Sequence, residues 1–311
     1  MLAGRMLLRL ASIAALALIG CFLVFVMGYY GPGDPVHTIL GTTWGTPAEY
    51  ERLRENLGLN RPLLVQFGDY VLAALQGDFG VSWQRGQPVA TLIANGLGIT
   101  VQLVLAAVVL CIVIGIPLGL LAALRHNRLA DRSVVVSGIV LHAIPPYVLA
   151  PMLMVVLVLQ LDLFPVPIGW KGLWSSNAII PVITLFAGPV IFVIRQTRGA
   201  VLGTLSEDFM RTARAMGLPR RVVTTNYLLP NSMGPVVNEL GLIFGGLLVN
   251  SIFVEAIFNI PGFGALIYNA VTNEDYPLLV GTTVVAIVVI GLGYFVTDIV
   301  NALIDRRLRI S

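Results

Sequence analysis

Long apolar runs alternate with short polar intervals along most of the chain, and they begin near Leu10, Gly98, Val134, Ala178, Val237 and Leu278. A helix needs about 20 apolar residues to cross a bilayer, so the pattern predicts roughly six spans. Each must be helical, because hydrocarbon offers no partner to backbone N–H and C=O groups and a helix satisfies its own. Pro117, Pro146 and Pro189 fall inside these runs, where proline is tolerated better than in soluble helices.

The longest polar interval, about 31–97, follows the first run. "GPGDPV" ends the first helix through its glycines and prolines. In "TPAEYERLRENLGL", Thr46 is placed to cap a short helix that Gly58 stops. "RPLLVQFGDYVLAALQGDF" then carries apolar residues at helical spacing. This interval predicts a helical cap lying on the outer membrane surface.

Composition agrees with a membrane protein: 57% of the 311 residues are hydrophobic and 11% charged, far from the balance of a soluble domain. Charge sets the orientation. If the N-terminus is inside, that face holds Arg5, Arg9, Arg125, Arg128, Arg132, Arg195, Arg198, Arg211, Arg214, Arg220, Arg221, Arg306, Arg307 and Arg309. The opposite face is richer in carboxylates than in basic residues. Positive residues flanking spans stay cytoplasmic, so both termini are expected inside. The net charge of +3 is a topology signal and does not point to nucleic acid.

Catalytic motifs are missing from the sequence. Lys171, followed by Gly172, is the one lysine, which excludes a phosphate-binding loop ending in Lys and Ser or Thr. His37, His126 and His142 are dispersed, and no nucleophile elbow or zinc-protease motif occurs. Cys21 and Cys111 lie inside apolar runs and read as buried small hydrophobes. "LIGC" at Leu18 to Cys21 resembles a lipoprotein processing box, but the apolar run continues to Tyr30, which favours an uncleaved first span.

An ATP-independent secondary carrier or channel would rely on ionisable groups within the spans. His142, Glu239, Glu255 and Asp298 are the candidates, and His142 alone lies mid-span; its simpler role is a hydrogen-bonded structural histidine. "GIPLG" and "GLIFG" have the small-xxx-small spacing that lets helix backbones approach.

One stretch stands apart. "EDFMRTARAM" favours helix, "GLP" breaks it, and "RRVVTTNYLLPN" resumes it, so a helix-turn-helix with concentrated arginine is expected on the inner face. Ala213 and Ala215 are small enough to permit close approach by a partner, and the arginines favour an acidic or polar surface.

The spacing from Ala213 to Gly217, and from there to the Tyr227-x-Leu229-Pro230 run, resembles the EAA loop of binding-protein-dependent ABC importer permeases. "VEAIFNIPGFGALI" from Val254 is similar to a signature of the dipeptide and oligopeptide branch. "GDPV", "RPLLVQFGDYVLAALQGDFG", "AIPPYVLA" and "LDLFPVPIGW" extend the likeness over nearly the whole length, closest to the B-type permease. Arg211 stands where the family has glutamate, Met216 where a lysine often precedes the glycine, and Tyr227 where histidine is frequent.

This resemblance implies an all-α membrane protein with the type I ABC importer permease fold and a helical periplasmic segment between its first two spans. Residues 1–311 would form one transmembrane domain, with 31–97 extracytoplasmic and 197–236 the cytoplasmic coupling loop. It further implies that Arg211, Thr212, Ala213, Arg214, Ala215, Gly217, Leu218, Pro219 and Pro230 couple to an ATPase, and that Glu255, Phe258, Pro261, Gly262 and Gly264 form a periplasmic gate. Gly262 and Gly264, behind Pro261, would break the fifth helix. The implied setting is a bacterial inner membrane. The implied partners are a second, related permease (a heterodimer in preference to a homodimer), two ATP-binding subunits, an extracytoplasmic solute-binding protein and membrane lipid. ATP and Mg would sit in the ATPases, and this chain would hold no cofactor or metal. The cargo implied is a peptide, with nickel chelates and glutathione carried by related branches.

Overall fold

The computed structural model describes residues 2–30, 36, 40, 46–56 and 58–304. The Gly-Pro stop after the first run, His37 and Arg306 to Arg309 lie outside the described residues.

Twelve helices follow one another in the described chain. They are α1 (Leu2–Tyr30), α2 (Pro47–Asn56), α3 (Leu63–Leu75), α4 (Val89–Leu124), α5 (Leu129–His142), α6 (Pro146–Leu153, continued by a π-helical stretch to Gln160), α7 (Ile179–Ala187) and α8 (Val190–Leu205). Then come α9 (Asp208–Ala215), α10 (Arg220–Ile257), α11 (Phe263–Thr272) and α12 (Tyr276–Ile304). Four of them, α1, α4, α10 and α12, are each long and apolar enough to cross a bilayer. The pairs α5–α6 and α7–α8 bend by 98° and 48°, and counting each pair as one broken span gives six. Proline causes both breaks: Pro145 and Pro146 start α6, and Pro189 precedes α8.

The predicted cap elements are present. Thr46 N–H donates to Glu49 Oε2 at 2.7 Å and Glu49 N–H to Thr46 Oγ1 at 3.4 Å, a reciprocal capping box that satisfies two orphan donors of α2. Gly58 adopts φ +67°, and Leu59 N–H returns to Arg54 O at 3.1 Å, closing α2 with the left-handed turn that glycine supplies without strain.

The helices divide into two compact units. The first centres on Val101–Ile260 and includes α12 from Leu292. Within it α10 packs along α8, and α4 meets α8 where "GIPLG" predicted close approach. A Cβ at Gly119 would lie 2.6 Å from Ile194 O and 2.7 Å from Thr197 Cβ, so any side chain there would drive the helices apart. A Cβ at Gly241, on α10, would likewise strike Thr297 of α12.

The second unit contains Met6–Thr100 and Pro261–Gly291. Its core gathers Val89, Leu92 and Ile93 of α4 with Phe263, Leu266 and Ala270 of α11 and Leu278 of α12. Phe22 and Phe25 of α1 pack edge-on against Phe67 of α3. Cys21 and Cys111 are buried free thiols, as expected.

Candidate functional site

Apolar periodicity seats α9. Met210 and Ala213 face inward to join Val201 of α8, Ala123 of α4, and Val223 and Leu228 of α10 in one buried cluster, with Leu218 and Tyr227 packed against it. Burial of such side chains stabilises by about 25 cal/mol per Å² of apolar surface removed from water. The opposite face stays open: Phe209, Arg211, Thr212, Arg214, Ala215 and Met216 are exposed. Ala213 therefore departs from the sequence expectation. It is 1% exposed, so its small size serves the seating of α9 on its own chain, and Ala215 is the alanine available to a partner.

Gly217 ends α9. Its φ is +70°, and its N–H donates to Arg214 O at 3.0 Å, a left-handed cap that strains residues carrying a Cβ. A Cβ added there would meet nothing within 4 Å, so the turn points into open space. Pro219, extended at φ −55° and ψ 141°, then starts α10, where its missing N–H costs nothing.

Val223–Leu228 is π-helical, which sequence reasoning missed. The cause is Pro230: it cannot donate to the carbonyl of Asn226, and its ring would clash with it, so the preceding turn widens. Asn231 Nδ2 donates to Tyr227 O at 2.6 Å, satisfying a carbonyl of the widened turn. Ser232 Oγ, buried, donates to Leu228 O at 2.8 Å and lies 3.0 Å from Thr204 Oγ1 of α8.

Arginines dominate the charge on this helix-turn-helix. Arg211 pairs with Asp208 at 3.1 Å, and both side chains are exposed, so the pair adds about 0.5 kcal/mol or less. Arg214, Arg220 and Arg221 are exposed and have no ion pair among the described residues.

A second element was also missed. Asp131, 3% exposed, accepts bonds from Arg198 Nε at 2.6 Å and Nη2 at 2.8 Å, and from Asn127 N–H at 2.9 Å. Its forked pair with Arg198 ties α5 to α8. The only signal was a single carboxylate within the arginine-rich "RHNRLADR".

The proposed gate residues fall in different places. Glu255 and Phe258, both 0% exposed, belong to the first unit. Pro261, Gly262 and Gly264 belong to the second. The break after α10 has another cause than the glycines predicted for it: Asn259 adopts φ +50° and Ile260 N–H returns to Glu255 O at 2.9 Å. Asparagine tolerates this left-handed cap. Gly262 is extended at φ −93° and ψ −178° and serves as the N-cap position of α11. Phe263 N–H, next in line, donates to Thr100 Oγ1 at 2.8 Å. His142 ends α5 at the α5–α6 break, its ring edge-on to Phe192 at 4.6 Å.

In the second unit, Asp275 is 1% exposed. It accepts from Ser82 Oγ at 2.5 Å, Trp83 N–H at 3.2 Å and Gln84 N–H at 3.4 Å, and Leu278 N–H of α12 lies 3.4 Å away. A cavity of about 500 Å³ in the same unit has Phe25, Tyr29, Tyr70, Phe79, Trp83 and Tyr276 in its lining. Tyr70 places a buried, unpartnered hydroxyl there, and burial pushes its phenol upward.

Four helices long and apolar enough to cross a membrane, or six spans if each bent pair counts as one, define a multi-pass membrane protein. The profile of the binding-protein-dependent transport system inner membrane component matches residues 115–310, and that of the corresponding N-terminal region matches residues 2–104. The chain belongs to this family, the transmembrane subunits of ABC importers. It is 33% identical over 305 residues to the probable peptide ABC transporter permease protein y4tP of Sinorhizobium fredii, covering 96% of each chain. It is 35% identical over 308 residues to the glutathione transport system permease protein GsiC of Escherichia coli strain K12, covering 97% of each. A solved structure of the MetNI methionine ABC transporter, in an inward-facing conformation, matches with a TM-score of 0.58 at 19% identity, covering 69% of this chain and 96% of that one. The shared fold is that of a type I ABC importer permease.

Proposed function

We propose that this permease imports peptides, pairing with a second, related permease to form a heterodimeric path. The names of its relatives support that cargo, one as a peptide permease and another as a glutathione permease, both compounds built on amide-linked amino acids. The orientation that best suits the arginines puts both termini and the α9–α10 turn in the cytoplasm, within a single membrane domain spanning the chain. A solute-binding protein delivers cargo at the opposite face. Two ATPase subunits bind ATP and Mg and carry out the hydrolysis, and this chain holds no cofactor and breaks no bond.

One observation carries the coupling role: α9 is anchored by its own buried face while its other face and the Gly217 turn remain open. Arg211, Thr212, Arg214 and Ala215 touch the ATPase directly. Ala213, Leu218 and Pro219 hold the turn's shape, and Pro230 maintains the wide turn beneath it. ATP closes the ATPase pair, drawing the coupling helices together and shifting the bundle between inward- and outward-facing states through differential binding. Glu255, Phe258, Pro261, Gly262 and Gly264 act in the outer gate.

Two measurements test this. Asn tolerates a left-handed backbone, so Gly217→Asn adds a side chain to the docking surface with little effect on the fold. The purified assembly carrying it is expected to lose its ATPase subunits or their stimulation by a peptide-loaded binding protein; unchanged stimulation refutes the coupling role. Glu255→Gln is expected to leave ATP hydrolysis running without peptide uptake. Hydrolysis and uptake declining together would instead mark Glu255 as a structural group.

A further inference from the structure

Arginine is unevenly used at the N-terminal end of α5. Arg198 is committed to Asp131 by two short bonds, whereas Arg125, Arg128, Arg132 and Arg195 have no carboxylate partner among the described residues. The Asp131–Arg198 pair fixes α5 against α8, and a cavity of about 460 Å³ opens beside it. Arg132 of α5 and Arg195 of α8 line that cavity together with Val135 and Val136. Three guanidiniums against one carboxylate leave its lining with two positive charges. An adjoining cavity lined by Arg125, Arg128 and Leu129 shares Arg132 and Asn127 with it.

The same helix face is apolar beyond the arginine. Leu129, Arg132, Val136 and Val140 are spaced by three, four and four residues and so lie along one stripe of α5. The three apolar members are 85%, 58% and 60% exposed, respectively. A cationic pocket heading an exposed apolar stripe matches an amphiphile with an anionic head. Guanidinium binds phosphate oxygens in forked geometry, and basic pockets between membrane helices on the cytoplasmic side suit acidic lipid headgroups.

We propose that Arg132 and Arg195 hold the phosphate of an anionic phospholipid of the cytoplasmic leaflet, with an acyl chain lying along Val136 and Val140. The Asp131–Arg198 pair is the positioning element: it takes one arginine out of play and sets the distance between the other two. This inference rests on the orientation proposed above.

The test uses the whole permease assembly purified from a membrane containing phosphatidylglycerol, with retained lipid quantified by native mass spectrometry. Each surface arginine contributes about 1 kcal/mol to acidic-lipid attraction, so R132Q/R195Q, which removes two, is expected to retain on the order of thirtyfold less phosphatidylglycerol. R132K/R195K, which keeps the charge, is expected to retain most of it. Equal retention by the Gln pair, with subunit composition intact, overturns the proposal. Displacement of the lipid by inorganic phosphate would show that the site takes free phosphate and overturn the lipid assignment. Loss of the second permease chain in place of lipid would also overturn it, in favour of an acidic protein surface. Leu129→Cys labelled with a membrane-impermeant maleimide tests the orientation separately. Labelling from outside would overturn the cytoplasmic-leaflet assignment whatever the lipid result.

Discussion

The α9–α10 turn and the junction before α12 hold their backbones by opposite means. At the first, apolar side chains such as Met210, Ala213 and Leu228 are buried underneath and the polar groups are left outside. At the second, the buried carboxylate of Asp275 gathers donors from residues 82–84 and from α12. Apolar seating is non-directional and leaves polar groups of the outer face, such as Arg214, exposed. A buried carboxylate consumes its partners and leaves nothing to offer. The difference separates an exposed polar surface from a closed polar knot.

The comparison breaks first, and most visibly, at Asp275. Asp275→Ala strands the Ser82 hydroxyl and the Trp83 and Gln84 N–H groups, and losing one member of such a buried charged network costs about 3 kcal/mol or more. A strongly lowered unfolding midpoint in detergent is the expected reading; a neutral result would dissolve the contrast. Asp131→Asn comes next, at about 3 kcal/mol, since it unties α5 from α8 and leaves Arg198 without its counter-ion. Thermal unfolding again reads it out.

Ala213→Leu sharpens the apolar side of the comparison. Overpacking beneath α9 is expected to cost about 1–3 kcal/mol and to weaken coupling through a displaced helix, visible as a lowered midpoint together with reduced peptide-stimulated ATPase. Arg211→Gln lies at the bottom of the scale. It removes an exposed pair and is expected to shift stability by about 0.5 kcal/mol or less, while still lowering affinity for an acidic docking partner in a salt-dependent binding assay.

Local features were legible in the sequence and distant pairings were not. The spans, the Thr46 cap, the Gly58 stop and the Gly217 turn all follow from spacing within a few residues, which is where helix periodicity and capping act. Ser82 and Asp275 are 193 positions apart, and Asp131 and Arg198 are 67 apart, so no local pattern joins them. Ala213, a small residue in a basic stretch, reads equally well as a contact or as packing, and only the position of α8 decides. For the break after α10 the sequence points to Gly262 and Gly264, although Asn259 makes it, because asparagine signals a left-handed cap less strongly than glycine does.

The wide turn at Val223–Leu228 has a consequence for rotation. An α-helix advances by about 100° per residue, and a π-turn accommodates one residue more than the α-helical path it replaces. Every side chain of α10 beyond Leu228 is therefore phased by that spare residue relative to the Gly217 turn. Converting the stretch to a plain α-helix without changing the chain length would swing the membrane part of α10 by about a quarter of a revolution. Pro230, which disfavours the conversion by removing the hydrogen bond to Asn226 O, acts as the latch on that angular setting.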